Sequence, residues 1–250
     1  MDPRPVKFLF EHHLLPGILD EIGELASFVR DTEHFLMPLR QECFTQLIQK
    51  QEAFLRLHLS SRQQEWISSR FNRDYYFSWP KGRLTRLLRN SLLVSIYSFT
   101  EHSLIDICRF LRRKDVKVSV SDIKGQNDID KARIYIAKVL GASFPDNSSE
   151  WAQIQTYRRI RNCIVHNDAY IDKGSPDRRP IEQYAKDNAN LLRLDKDSVL
   201  LEQGFCEKML DVIREFFILL SQNLREFIER NESLLESSDR EFVNTISVES

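Results

Sequence analysis

Apolar residues recur every three to four positions through most of the chain, which is the repeat of an amphipathic α-helix. The helical stretches cover about residues 17–72, 83–113, 128–140, 149–165 and 204–235. The aromatic segment YYFSWP, residues 75–80, ends the first stretch, and Asp146 or Ser148 is placed to cap the fourth. The pattern predicts an all-α fold, an up-and-down helical bundle with a long N-terminal helical extension.

The segments between and after these helices are polar. Residues 167–190 contain Gly174-Ser175-Pro176 and predict a loop. Residues 191–203, LLRLDKDSVLLEQ, place two short apolar runs around a polar centre and predict one small β-hairpin. The acidic residues 236–250 predict a mobile tail. The expected organisation is an N-terminal extension over residues 1–80 that packs on a bundle over residues 81–235.

Charge is unevenly distributed along the chain, although the net charge is only −1. Residues 81–161 carry 16 Lys or Arg and 8 Asp or Glu, whereas the rest of the chain carries 20 and 29. Arg outnumbers Lys by 24 to 12, and its planar guanidinium suits bidentate contacts with phosphate. The basic middle of the chain indicates a polyanionic partner or, alternatively, a solvated helix face.

Other sequence features narrow the chemistry. The cysteines, Cys43, Cys108, Cys163 and Cys206, form no CxxC pair, which indicates buried reduced thiols rather than disulfides or a zinc site. No GxxxxGKS, GxxxxGKT, GxGxxG or HExxH motif is present, so nucleotide hydrolysis and dinucleotide chemistry are not expected, and no metal or cofactor is predicted. No stretch approaches the roughly 18 apolar residues of a membrane span, and we expect a cytoplasmic protein.

Two charged residues fall on the apolar sides of their helices. On a helical wheel of residues 92–111, Glu101 lies between Cys108 and Val94, where an unpaired carboxylate would cost several kcal/mol. On a wheel of residues 157–167, Arg161 projects between Ile164 and Val165. We therefore expect Glu101 and Arg161 to be partners, either in a functional site or in an ion pair that only fixes the register of the bundle.

The residues that follow Arg161 form a pattern that packing alone does not require. Asn162 and His166 are four residues apart and so share one helix face. The segment RNCIVH, residues 161–166, is an Arg and a His with four residues between them, and Asn directly follows the Arg. Together with SFTE, residues 98–101, on an earlier helix, this segment resembles the active-site motif of the HEPN superfamily of helical-bundle ribonucleases.

The resemblance covers about residues 85–232 and implies a function. It implies a metal-independent endoribonuclease that cleaves single-stranded RNA through the 2′-hydroxyl, of the toxin–antitoxin, abortive-infection or antiviral defence kind. It also implies a homodimer, because two copies of the motif usually form one composite site and this chain has one copy. A cognate antitoxin or sensor protein is a further expected partner.

The expected roles follow from the residue types. His166 would transfer protons, Arg161 would hold phosphate oxygens, Asn162 would orient the His or the substrate, and Glu101 would position Arg161. The RNA backbone would be contacted by Arg158, Arg159, Asn167, Arg112 and Arg113, together with Lys81, Arg83 and Arg86.

Two questions stay open at the level of sequence. Residues five apart on a straight helix point about 140° away from each other, so Arg161 and His166 converge only if the helix distorts near Val165 or if two chains build the site. The alternatives to a nuclease are a non-catalytic HEPN-like module that binds RNA, nucleotide or a partner protein, and a purely structural helical scaffold.

Overall fold

Helices account for most of the computed structural model, which describes residues 6–55, 60–73, 80–125 and 127–235. In chain order the elements are α1 (Val6–Leu9), a π-helical turn (Phe10–Leu14), α2 (Leu15–Leu55), α3 (Ser61–Arg73), α4 (Pro80–Phe110), a 3-10 turn (Val120–Asp122), α5 (Asp128–Ile134), a second π-helical turn (Tyr135–Val139), α6 (Ser149–Asn167), α7 (Arg178–Asp187), β1 (Leu192–Asp195), β2 (Ser198–Leu201) and α8 (Phe205–Asn231). The predicted all-α fold with one small hairpin is confirmed.

Local sequence explains where the shorter helices begin. Before α6 the Ser148 hydroxyl accepts a hydrogen bond from the Trp151 backbone N–H at 3.1 Å, which makes Ser148 the cap expected there. Before α5 the Asn127 side chain accepts from the Asp130 backbone N–H at 2.8 Å. Each contact satisfies one of the backbone donors that the first turn of a helix leaves unpaired.

The prediction of a loop over residues 167–190 is wrong for its second half, which forms α7. Ile181 and Tyr184 lie three residues apart, and both are buried. Pro180 is compatible with a helix because it lies in the first turn, where its missing N–H has no partner to lose. A single turn of apolar spacing was enough to bury one face, but the polar composition of the segment obscured it.

The hairpin forms as predicted, with β1 antiparallel to β2 and Leu192 opposite Leu201. Lys196, in the turn between the strands, has a φ of 58°. Three of the four β2 residues, Val199, Leu200 and Leu201, are buried, so both faces of this strand are covered. An isolated bridge between Tyr170 and Ser198 adds the segment after α6 to the edge of the hairpin.

The chain divides into two compact units that take up interleaved segments. The first unit contains residues 1–25, 95–159 and 208–250, and the second contains residues 26–94 and 160–207. Phe144, Trp151 and Phe216 form an aromatic cluster in the first unit, with ring centroids 5.0 to 5.8 Å apart. Tyr184 and Phe205 form an edge-to-face pair at 6.2 Å in the second.

Several predictions concern residues outside the described ranges. The expected helix break at residues 75–80 falls there except for Pro80, which begins α4, and so does the expected tail at residues 236–250. The division of the chain at residue 80 into extension and bundle stays a prediction. Buried reduced thiols are confirmed for Cys108, Cys163 and Cys206, whereas the Cys43 side chain is not among those described.

Candidate functional site at the end of helix α6

The residues of the Arg161 to His166 motif lie on the last turns of α6, which stays α-helical through Asn167. Tyr157, Ile160 and Ile164 bury one side of the helix. Arg161 and Asn162 are half-buried, whereas His166 and Asn167 are exposed. Because the helix is regular near Val165, Arg161 and His166 of one chain project in directions about 140° apart.

Arg161 and Asn162 contact each other directly. The Nη1 atom of Arg161 donates a hydrogen bond to Asn162 Oδ1 at 3.2 Å. The Nε atom of Arg161 is buried, so this edge of the guanidinium lies within the protein rather than in solvent. Such a contact limits the rotamers of both side chains, and a guanidinium held in one orientation suits recognition of a phosphate or carboxylate.

The turn after α6 has an unusual backbone. Asp168 and Ala169 are consecutive non-glycine residues with φ values of 48° and 63°, in the left-handed region that L-amino acids avoid. The Ala169 N–H donates to the Cys163 carbonyl at 3.1 Å and closes the helix end. A single left-handed residue at this position is common, whereas a pair without glycine costs free energy that other contacts must offset.

The contacts that hold this turn come from the hairpin. The Val199 N–H donates to the Ala169 carbonyl at 2.8 Å, and the Ile171 N–H donates to the Asp197 carbonyl at 2.7 Å. Ala169 is fully buried and Ile171 is 3% exposed, so both are also anchored by packing. The hairpin thus fixes the chain directly after His166 and Asn167. The sequence predicted only a polar loop for this segment.

Cys163 lies within the motif and faces inward. Its Sγ–H donates to the Tyr170 carbonyl at 3.3 Å, across the same turn. Burial, with smaller contributions from the Asp177 and Asp172 carboxylates, raises the pKa of the Cys163 thiol to about 11. Cys163 therefore stays protonated at neutral pH and packs as a small apolar residue, which excludes it as a thiolate nucleophile there.

A basic residue of α4 also reaches this turn. Arg86 Nη2 lies 3.9 Å from Asp168 Oδ1, and the Arg86 side chain is 14% exposed against 91% for Asp168. Exposed apolar side chains occur close in sequence to these residues: Leu84 and Leu87 on α4, and Val165 and Tyr170 at the end of α6 and after it. The surface at the end of α6 thus combines cationic, imidazole and apolar groups.

The other predicted RNA contacts differ in how available they are. Arg158 is half-buried and its Nη1 lies 2.9 Å from Asp130 Oδ2, while Nε of Arg113 donates to Asp115 Oδ1 at 2.9 Å. Arg159 is half-buried, and Arg112 and Asn167 are exposed. Neighbouring carboxylates balance the charges of Arg158 and Arg113, and the side chain of Arg112 is more exposed than either.

Glu101 lies on α4 and is half-buried rather than buried. It belongs to the first compact unit and Arg161 to the second, and their partnership stays a prediction.

Sequence reasoning missed a buried ion pair within the second unit. Arg89 donates from Nε to Glu33 Oε1 at 2.6 Å and from Nη2 to Glu33 Oε2 at 2.7 Å, with 3% and 7% of the side chains exposed. Arg89 Nη1 also donates to the Leu201 carbonyl at 2.9 Å. Helical spacing carried a signal, because Glu33 lies four residues after the buried Val29 and Arg89 lies four before the buried Leu93.

Comparison of the chain with protein-family models, with curated protein sequences and with solved structures gives no match. In the ranges that the structure describes, none of the helices combines the length and apolar character that crossing a membrane requires. Within those same ranges, no three His, Cys, Asp or Glu side chains come together as they would around a metal ion.

Proposed function

We propose that the protein is a metal-independent endoribonuclease that cleaves single-stranded RNA through the 2′-hydroxyl, with an active site built from two copies of the chain. The role that fits such an activity is defence or growth control of the toxin–antitoxin, abortive-infection or antiviral kind. An antitoxin or sensor protein would then restrain the enzyme.

One observation carries the proposal. The exposed imidazole of His166 lies at a helix end next to an Arg161–Asn162 pair whose guanidinium is already oriented by a 3.2 Å hydrogen bond. The turn that follows is held in a strained left-handed conformation by the hairpin. Backbone strain of this kind clusters at functional sites, where a fixed side-chain position justifies its cost.

The chemistry needs the groups that this helix end supplies. The 2′-oxygen of the ribose attacks phosphorus after losing its proton to a base, and the 5′-oxygen leaves after receiving a proton from an acid. The products are a 2′,3′-cyclic phosphate and a 5′-hydroxyl. His166 exchanges protons in this role, while Arg161 stabilises the charge that develops on the phosphate oxygens. Asn162 holds Arg161, and Glu101 positions it from α4.

The regular geometry of α6 favours a site shared by two chains. With no distortion before Asn167, Arg161 and His166 of one chain cannot both point at one phosphate. A two-fold axis near the end of α6 brings a second His166 close to the first, which supplies one imidazole as base and the other as acid. The exposed Leu84, Leu87, Val165 and Tyr170 provide apolar area for such a contact.

The test is an RNA cleavage assay in EDTA with purified wild type and the His166→Ala variant. We expect wild type alone to cut total cellular RNA and to leave 2′,3′-cyclic phosphate ends. Light scattering on the same samples should report a dimer for both proteins. Circular dichroism spectra that match between them would show that the variant is folded.

Absence of cleavage separates two readings when it is combined with expression in cells. Growth arrest that depends on His166 indicates an enzyme that is restrained in the purified sample. Absence of both cleavage and growth arrest, with an intact dimer, refutes the nuclease and favours a binding module.

A further inference from the structure

A second candidate site lies within the first unit, between the end of α4, the connector after it and α5. A cavity of about 640 Å³ opens there, a volume typical of sites for small organic ligands. Its lining includes four cationic side chains from three segments: Arg109, Arg112, Lys117 and Lys131. All of its lining residues belong to the first unit, so it shares none with the Arg161 to His166 motif.

The charge of the lining favours an anion. The lining carries four cations and two carboxylates, Asp122 and Asp128, and a third carboxylate outside the lining, Asp106, pairs with Arg109 at 2.9 Å, which leaves an excess of one positive charge. Asp128 is paired with Lys131, with Nζ 2.7 Å from Oδ1. Asp122 accepts from the backbone N–H of Ser119 at 2.8 Å and from its hydroxyl at 2.6 Å, and these bonds lower the pKa of the Asp122 carboxyl.

The buried part of the lining is apolar. Tyr135 and Cys108 are each 1% exposed, and Val120 is 7% exposed. Burial raises the pKa of the Cys108 thiol well above its usual range, so this wall carries no negative charge at neutral pH. Apolar residues in the lining suit the apolar part of a ligand, and the exposed cations Arg109, Arg112 and Lys117 suit its charged part.

We propose that this cavity binds a small organic phosphate, with the apolar part of the ligand against Ile105 and Val120 and its phosphate groups among Arg109, Arg112 and Lys117. A pocket of this volume with apolar residues in its lining fits a compact ligand. An RNA strand, by contrast, requires a basic groove that continues past each nucleotide. Arg112 therefore belongs to this site rather than to a track for the RNA backbone.

The test is isothermal titration calorimetry on the full-length protein with ATP as the probe. Titrations with adenosine and with inorganic tripolyphosphate measure the affinity for the apolar part and for the phosphates separately. The Arg109→Gln/Lys117→Gln double variant removes two phosphate contacts, and Ser121→Trp obstructs the opening without changing charge. Lys138→Gln is the matched control, because Lys138 is an exposed lysine of the same unit that does not line the cavity.

We expect ATP to bind one site per chain, with tighter binding than either fragment. Affinity should fall at least about tenfold in the double variant, since charge-assisted hydrogen bonds are lost, and it should also fall in Ser121→Trp. Lys138→Gln should bind as wild type does. Thermal melting of each variant establishes that it is folded. None of these readouts depends on RNA cleavage.

Three results overturn the proposal. The first is absence of saturable ATP binding, and the second is equal weakening by the control variant, which indicates nonspecific attraction. The third is binding of a single-stranded RNA oligonucleotide, but not ATP, that the double variant weakens. In that case the cations belong to an RNA surface.

Discussion

Two charged clusters of the second unit use the same residue types for opposite purposes. Arg89 and Glu33 are almost fully buried and satisfy each other with two short hydrogen bonds. At the end of α6, Arg161 is bound to a neutral amide, and His166 faces solvent. The first cluster is closed, because a buried charge without its partner is expensive, whereas the second places a proton-exchanging group in solvent, where a ligand can reach it.

This difference gives a criterion for separating structural charge from functional charge. A guanidinium whose donors are taken up by a carboxylate and a carbonyl has little capacity left for a substrate. An imidazole exposed at a helix end, by contrast, is accessible to a substrate. Changes at the closed cluster should therefore alter stability, and changes at the open cluster should alter activity.

The largest expected effect is on activity at the open cluster. His166→Ala should reduce RNA cleavage by about 10²- to 10⁴-fold, the usual contribution of a general acid or base. Its free energy of unfolding should change by no more than about 0.5 kcal/mol, because the side chain is exposed. Initial cleavage rates and urea denaturation measure the two quantities.

His102→Ala is the matched control for this change. His102 is 75% exposed and lies on α4, outside the motif. The variant should cleave RNA and unfold as wild type does. Equal loss of RNA cleavage in His166→Ala and His102→Ala would show that His166 has no particular role in catalysis.

The next effect is on stability at the closed cluster. Arg89→Met and Glu33→Leu should each lower the free energy of unfolding by about 3–5 kcal/mol, because each leaves a buried charge without its partner. The double variant should recover part of this loss, although the Leu201 carbonyl still lacks its donor. Denaturant unfolding of the four proteins gives the coupling energy directly.

An exposed pair provides the comparison. Arg230 and Glu226 lie 2.9 Å apart with side chains 72% and 78% exposed, and Arg230→Met should cost less than about 1 kcal/mol. If Arg89→Met were no more destabilising than Arg230→Met, burial of the Glu33–Arg89 pair would have no energetic consequence and the contrast between the clusters would fail.

How far the sequence predicts this molecule depends on the range of each interaction. The long helices and the hairpin were predictable because apolar periodicity is a local property that burial then enforces. Apolar periodicity also placed Glu101 and Arg161 on apolar helix faces, and their pairing stays a prediction. Periodicity could not identify Glu33 and Arg89 as partners, because they are 56 residues apart. A helical wheel gives the direction of a side chain but not its neighbour.

The candidate site shows the same limit. The motif residues were readable from the spacing of Arg161, Asn162 and His166, and the structure places them on one regular helix. The left-handed turn after them carried no glycine to indicate it, although Asp is among the residues that tolerate this conformation. The pairing of Ala169 with Val199 in β2 helps to fix the turn, and pairing over 30 residues leaves no local trace.

The third prediction concerns the left-handed turn at Asp168 and Ala169, which follows the helix end that carries Arg161 and His166. Asp168→Val should destabilise the protein by about 1–2 kcal/mol, since a β-branched residue is strongly disfavoured at a φ of 48°. Asp168→Gly should be neutral or stabilising by up to about 1 kcal/mol, because glycine adopts this φ without strain. Denaturant unfolding compares the two substitutions at one exposed position.

The relative order of the two variants is the decisive result. Both remove the carboxylate that lies 3.9 Å from Arg86, so this contact cancels from the comparison. If the Val variant were as stable as the Gly variant, the left-handed turn would not be the conformation that the protein adopts.

The last prediction concerns pH and the Cys163 thiol. Burial raises the pKa of Cys163 to about 11, above the value of 9.0 for a free thiol, so the folded state favours the protonated form. The contribution of this group to stability is therefore fully present below pH 9 and is lost as the pH rises toward 11. Cys163→Ala should lose less stability than wild type over this interval, because alanine has no proton to release.

Urea denaturation of both proteins at pH 8, 9, 10 and about 11 measures the difference in their free energies of unfolding. The other buried thiols, Cys108 and Cys206, do not contribute to this difference because both proteins contain them. Parallel pH curves for the two proteins would mean that the Cys163 thiolate is as well tolerated in the fold as in the unfolded chain, and that burial does not raise the pKa of this thiol.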